Sequence, residues 1–206
     1  EALHQKISLL NPDETRDPVP DSLNSIHSEQ IFTGMDVIID GLARPEQRFI
    51  LNRTCNKLKI PYLFGAAIEA FGNVSTILPG RTFCLECFMP GLQDEDLPAC
   101  GVVGVHPSVL GIVSSVQVSE AARVLTGREP KLFNKLLYVD LRAFEFNILD
   151  IPRLESCKVC GTKPDGEPQE INDRFFEETC ARDGRRNFVI SPKKRLDIDM
   201  NRLAAI

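Results

Sequence analysis

Two Cys-x-x-Cys pairs, Cys84-Leu-Glu-Cys87 and Cys157-Lys-Val-Cys160, constrain this chain more than any other feature of its 206 residues. Each such turn sets two sulfurs at neighbouring corners of a tetrahedron, and zinc takes four thiolates at about 2.3 Å. The pairs together predict one closed zinc site on Cys84, Cys87, Cys157 and Cys160. A four-thiolate site has no open coordination position, so the metal's expected work is structural. The 69 residues from 88 to 156 that separate the pairs exclude a compact zinc ribbon. The metal would instead clamp two distant loops. The competing readings are two unrelated buried thiol pairs, or a redox pair, although neither pair has the strand–helix context that redox motifs use.

Seven cysteines is an odd number, and the N-terminus lacks a basic flank followed by an apolar core. The thiols therefore read as metal ligands in a reducing compartment, and a cytoplasmic protein is expected. A hydrophobic share of 43% is enough for a substantial core. The net charge of −5, without long runs of like charge, argues against nucleic acid and against anionic membranes. The longest apolar stretch is interrupted by Gly111, Ser114, Ser115 and Gln117, so no membrane-spanning helix of about 18–20 residues is expected.

Along the chain, residues 1–10 have helical spacing that Asn11-Pro12 stops, and the missing cap before them implies a start inside an element. A short helix is expected near Ser28 to Phe32. Met35 to Ile39 suits a buried strand ending at Asp40-Gly41, and Pro45 opens a helix to about Lys59. Tyr62 to Ala67 and Asn73 to Leu78 read as further strands, and the strand–helix–strand succession implies a crossover in a mainly parallel sheet. Pro107 to Leu125 reads as a long helix that Gly127 ends. Leu136 to Asp140 and Phe144 to Leu149 read as two more strands. Three regions follow: an α/β domain over 1–161, a Pro- and Gly-containing linker over 162–169, and a small module over 170–206. That module would hold a hairpin around Asp183-Gly184 and a closing helix from Leu196.

Outside the zinc set, Cys100 lies between Ala99 and Gly101 before the long helix, where the helix dipole favours a thiolate. It reads equally as a small apolar filler. Cys55 and Cys180 read as structural, and His106 as a neighbour of Cys100 or a capping residue. Asp40 stands at the carboxyl end of a strand, where α/β folds bind ligands, and so is a candidate for magnesium or ribose. The commoner reading is a turn or capping aspartate. No G-x-G-x-x-G loop occurs in these residues.

These segments form a familiar order. It runs from Asp36-Val-Ile-Ile-Asp40-Gly through Arg48-Phe-Ile-Leu-Asn52, Ile60-Pro-Tyr and Gly65-Ala to Pro79-Gly80 and Cys84-x-x-Cys87. It continues with Cys100, Gly101-Val-Val-Gly-Val, Gln117, Glu120-Ala-Ala, Leu125-Thr-Gly127 and Cys157-x-x-Cys160-Gly161. Over residues 1–161 the chain resembles the ThiF/MoeB/HesA family, prokaryotic relatives of ubiquitin-activating enzymes. The resemblance implies a doubly wound α/β fold, usually homodimeric. It also implies ATP, magnesium and adenylation of the C-terminal glycine of a ubiquitin-like or sulfur-carrier protein. By position, Cys84, Cys87, Cys157 and Cys160 match the zinc ligands, and Cys100 matches the cysteine some members use for acyl or persulfide transfer. The tail from about 170 is similar to an accessory module of some members.

Two departures qualify the activity. The family's Gly-rich nucleotide half would precede residue 1. Its D-x-x-D-N motif falls on Asp40-Gly-Leu-Ala43-Arg44, which puts Ala43 at the magnesium-binding place. Arg44 would contact phosphate directly, yet a cation fixed to the chain does not bridge phosphates as a metal does. The expectation is the C-terminal part of an activating enzyme with an incomplete ATP site, inactive in pyrophosphate exchange on its own. The alternative is a non-catalytic, zinc-stapled module that dimerises or docks a ubiquitin-like protein.

Overall fold

The computed structural model describes residues 2–19, 23–92, 103–171, 176–180 and 186–190. The first elements are α1 (Ala2–Leu10) and α2 (Ser28–Phe32), followed by β1 (Ile38–Ile39), α3 (Pro45–Leu58), β2 (Tyr62–Ile68) and β3 (Phe71–Ile77). Then come α4 (Leu85–Phe88), α5 (Pro107–Leu125), β4 (Lys135–Asp140) and β5 (Glu145–Asp150). Strands β6 (Phe176–Cys180) and β7 (Arg186–Ile190) form a separate antiparallel pair, as the expected hairpin requires. The Asp183-Gly184 turn and the expected helix from Leu196 lie outside the described residues.

The main sheet has five strands in the order β1-β2-β3-β4-β5. The α/β class holds, but the sheet here is mixed where the sequence suggested mainly parallel pairing. Among the described strands β1 and β2 pair in parallel, joined through α3, and β2–β3, β3–β4 and β4–β5 pair antiparallel. The reversal after β2 occurs at Glu69-Ala70, which carries none of the residues that usually announce a hairpin. Glu69 adopts a φ of 49° there. Pairing with another segment holds it, because Glu69 N–H donates to Gly104 O and Glu69 O accepts from His106 N–H.

Strand alternation sorts the core onto the two faces of the sheet. Tyr62 and Phe64 join Phe49, Leu51 and Cys55 of α3, together with Phe83, Leu85 and the four cysteines of the paired motifs. Val74 and Val139 pack with Val109 and Val113 of α5. Close approach of α5 depends on two glycines. A Cβ at Gly65 would stand 2.4 Å from the Gln117 side chain, and one at Gly72 would stand 2.8 Å from Val113.

Helix α5 begins at Pro107 with His106 as its cap, whose Nδ1 accepts from Ser108 N–H. This supports the capping role for His106. At 19 residues, with a mean hydropathy of 1.2 over its most apolar window, α5 is long and apolar enough to cross a membrane by length and composition. That corrects the expectation of no such stretch, since Gly111, Ser114, Ser115 and Gln117 lower the hydropathy less than their polarity suggests. Core helices of soluble proteins meet the same criterion, and α5 packs Val109, Val113, Gln117, Glu120 and Ala121 against the sheet.

Candidate functional site: a four-cysteine centre beside a buried carboxylate hub

The first cysteine pair is set by α4. Cys84 caps this helix, Cys87 lies within it, and Cys87 N–H donates to Cys84 O at 3.0 Å. Asn52 of α3 steadies the turn by accepting Leu85 N–H on Oδ1 at 3.0 Å. Arg53 grips Glu86, the residue between the cysteines, through Nε–Oε1 at 2.8 Å and Nη2–Oε2 at 3.1 Å. The second pair sits on a tight turn closed by Gly161 N–H to Cys157 O at 2.9 Å. Arg153 links the two halves, donating to Cys160 O and, at 2.8 Å, to Gly80 O.

The four sulfurs converge. Cys84 and Cys157 Sγ are 3.7 Å apart, Cys87 and Cys160 Sγ are 3.4 Å apart, and all four lie within 4.8 Å of one another. A tetrahedron with metal–sulfur distances of about 2.3 Å has edges of about 3.8 Å, so the set is close enough to hold a metal ion. All four residues are buried. Hydrogen bonding with Cys160 and Cys87, reinforced by burial, drives the Cys84 thiol far above its ordinary range. Hydrogen bonds from Cys160 and Cys84 hold Cys87 well below that range. A divalent cation would offset part of the charge of four thiolates, and its binding would displace the thiol protons.

Asp40, at the end of β1, is held by donors from three directions. Its carboxylate is buried, with Oδ1 accepting Leu42 N–H at 2.7 Å and Oδ2 accepting Arg48 Nε at 3.0 Å and Tyr62 Oη–H at 2.8 Å. Arg48 also donates to Leu42 O and, at 3.0 Å, to Gly65 O. Gln117 Nε2 ties Asp40 O to Leu63 O, each at 2.9 Å. Burial, then the Asp40 charge and hydrogen bond, raises Tyr62 well above the usual phenol range and keeps it a donor. The turn reading of Asp40 fits this geometry, and both oxygens are already engaged by protein donors. Arg44 caps α3 in an extended conformation and is half-buried, its carbonyl accepting Arg48 N–H at 3.3 Å. Cys100 lies outside the described residues. Cys55 is core, its thiol pushed up to about 12 by burial and then by Asp40.

In the sequence the four cysteines come together as one set, whereas Arg48, Gln117 and Glu120 stand only as parts of the family order, without a role. Gln117 reads there as an interruption of an apolar run. Its signal was the i, i+3 spacing with Glu120, which puts two polar groups on the buried stripe of α5. Glu120 accepts from Thr76 Oγ1 and from Lys131 and Leu132 N–H.

These features define an α/β sheet domain with a four-cysteine centre on one face and a carboxylate–arginine hub at the end of its parallel pair. Residues 1–159 match the ThiF family, and the chain belongs to it. The SAMP-activating enzyme E1 of Haloferax volcanii is 28% identical over 173 residues, covering 84% of this chain and 63% of that enzyme. Protein HesA of Nostoc sp. is 29% identical over 177 residues, covering 86% of this chain and 69% of HesA. The adenylyltransferase and sulfurtransferase MOCS3 of Drosophila persimilis is 30% identical over 144 residues, covering 69% of this chain and 32% of MOCS3. Among solved structures, E. coli MccB superposes with a TM-score of 0.66 at 14% identity, over 82% of this chain and 51% of MccB. That likeness is one of fold. The chain thus spans under two thirds of the Haloferax enzyme and about half of MccB.

Proposed function

We propose that these residues form the zinc-stapled, carrier-docking part of an enzyme that adenylates the C-terminus of a ubiquitin-like or sulfur-carrier protein. The observation that carries this reading is the convergence of four buried cysteines within a ThiF-family domain. Relatives named as an activating enzyme and as an adenylyltransferase and sulfurtransferase support it. Zinc fits the donor set, which is all thiolate, buried and tetrahedral in spacing. When bound, it supplies a closed crosslink and no reactive position.

The chain's own residues do the rest. The Asp40–Arg48–Tyr62 hub fixes the 40–44 loop and so places Arg44 at the head of α3. From there the guanidinium reaches an anionic group of substrate. β5 is a sheet edge with Phe146 49%, Ile148 60% and Leu149 46% exposed, and Phe144 beside it 79% exposed. It offers the carrier an apolar surface and a strand edge that no other described strand covers. The same reading takes the assembled enzyme to be a homodimer. The nucleotide cradle is not assigned to these residues, which contain no Gly-rich phosphate loop and have Ala43 at the expected metal-binding position.

Co-purification with candidate carriers, followed by intact mass, tests docking and metal together. Carrier-dependent ATP–pyrophosphate exchange tests the chemistry. Binding without exchange is the expected result for the 206-residue chain, and robust exchange would overturn the incomplete-site reading. Cys100→Ser in an assembled, active enzyme tests the thiol; unchanged acyl or sulfur transfer removes Cys100 from the mechanism.

A further inference from the structure

A concavity of about 350 Å³ opens at the amino end of β2, opposite the end where Glu69 bridges to Val105 and α5 begins. Its lining combines apolar Pro61, Leu78, Pro79 and Val124 with the cations Lys59, Arg81 and Arg128, against one carboxylate, Glu129. All three cations are exposed, and among the described residues no ion pair engages them. The lining therefore carries an excess of two positive charges in a chain whose net charge is −5.

Three independent tight turns deliver these cations. Lys59 closes α3 in the left-handed region at φ 61°, its N–H bonded to Cys55 O, a conformation that lysine seldom adopts. Arg81 ends a turn over Pro79 and Gly80, with Gly80 at φ 80° and Arg81 N–H donating to Leu78 O at 2.9 Å. That is the pattern of a type II turn. The Arg81 guanidinium also lies over the Phe133 ring, 5.4 Å from its centroid. Arg128 follows the glycine that closes α5, where Gly127 N–H reaches Val124 O at 3.1 Å and Arg128 N–H reaches Arg123 O at 2.8 Å. This is the paired bonding of a Schellman end. Two helix carboxyl ends meet here, and cations offset their partial negative charge. That accounts in part for Lys59 and Arg128, but Arg81 belongs to no helix.

We propose that this pocket binds a small organic phosphate. Its phosphate takes the Arg81 and Arg128 forks and the Lys59 ammonium, and its apolar body lies on Pro61, Leu78, Pro79 and Val124. Guanidinium groups match phosphate oxygens in a two-pronged geometry, and a net lining charge of two suits a dianion. A volume near the lower end of small-molecule pockets, about 300–1,000 Å³, suits a ligand of one-ring size. The site is separate from the cysteine centre and from the Asp40 loop, so it adds an effector-type function to the activating role.

Isothermal titration of the 206-residue protein with phenyl phosphate and with inorganic phosphate, at low ionic strength, tests this. Phenyl phosphate is expected to bind one site at least tenfold more tightly than inorganic phosphate. The double variant R81E/R128E is expected to weaken it at least tenfold while the chain stays folded at the titration temperature, despite the lost cation at a helix end. Arg81→Ala alone, which touches no helix end, is expected to weaken it at least threefold. No binding, equal affinity for the two phosphates, or binding that survives Arg81→Ala would overturn the proposal. So would charge reversal that lowers the unfolding temperature without changing affinity, since that is the behaviour of cations serving helix ends alone. Carrier docking is read separately, so either idea can fail without the other.

Discussion

Replacing Gly161 with alanine adds one methyl group to the turn that carries the second cysteine pair. A Cβ there would meet Glu155 O at 2.3 Å, Cys157 O at 2.4 Å and Cys157 N at 2.8 Å. Carbon–oxygen contacts settle near about 3.3–3.6 Å, so the overlap is about 1 Å. All three obstacles are backbone atoms, which no side-chain rotation can move away. The turn must open, loosening the 2.9 Å bond from Gly161 N–H to Cys157 O and displacing Cys160 from its partners. Overpacking of this kind costs about 1–3 kcal/mol. At 1.4 kcal/mol per tenfold, that corresponds to roughly 5- to 150-fold in metal affinity. Competition against a chromophoric chelator measures the loss directly. Gly111→Ala is the control, because nothing lies within 4 Å of its added Cβ. A Gly161→Ala protein that holds zinc as tightly as the parent would refute the close-packed turn.

Three further outcomes follow from the buried groups. Asp40→Ala leaves Arg48 nearly buried without its charge partner, with side-chain exposures of 11% and 0% for the pair. A loss of about 3–5 kcal/mol in denaturant unfolding is expected. Cys55 is raised from 9.0 to about 12 in the folded chain, so its neutral thiol stabilises the fold below pH 9 and that stability drains as pH rises towards 12. By pH 11 the loss is about 2–3 kcal/mol, and Cys55→Ala should flatten this part of the stability–pH curve. Arg53→Ala removes the two-pronged grip on Glu86 and the bond to Gln169 O. It is expected to lower metal affinity about 10-fold, and unchanged chelator competition would remove Arg53 from the support of the site.

What the sequence made legible had short-range chemistry behind it. α5 was bounded by Pro107 at its start and Gly127 at its end, and α3 by Pro45. The cysteine centre could be read because soft ligands at two-residue spacing have few other uses. Strand direction was not legible, because the reversal at Glu69-Ala70 depends on hydrogen bonds to Gly104 and His106, distant in sequence. The partners of Asp40 were not legible for a related reason. Its position at a strand end suggested ligand binding, while its partners Arg48 and Tyr62 come from two other elements. Gln117 and Glu120 stood in the family order, but their partners, Asp40 O and Leu63 O for one and Thr76, Lys131 and Leu132 for the other, come from elements distant in sequence.

In the proposed function one zinc ion on Cys84, Cys87, Cys157 and Cys160 staples this domain. Elemental analysis of the purified chain, paired with thiol titration before and after chelation, tests it most directly. One zinc per chain is expected, with these four thiols shielded until the metal is stripped and the fold loosened by its removal. A folded chain that carries no zinc and shows the same thiol reactivity before and after chelation would rule out the zinc staple.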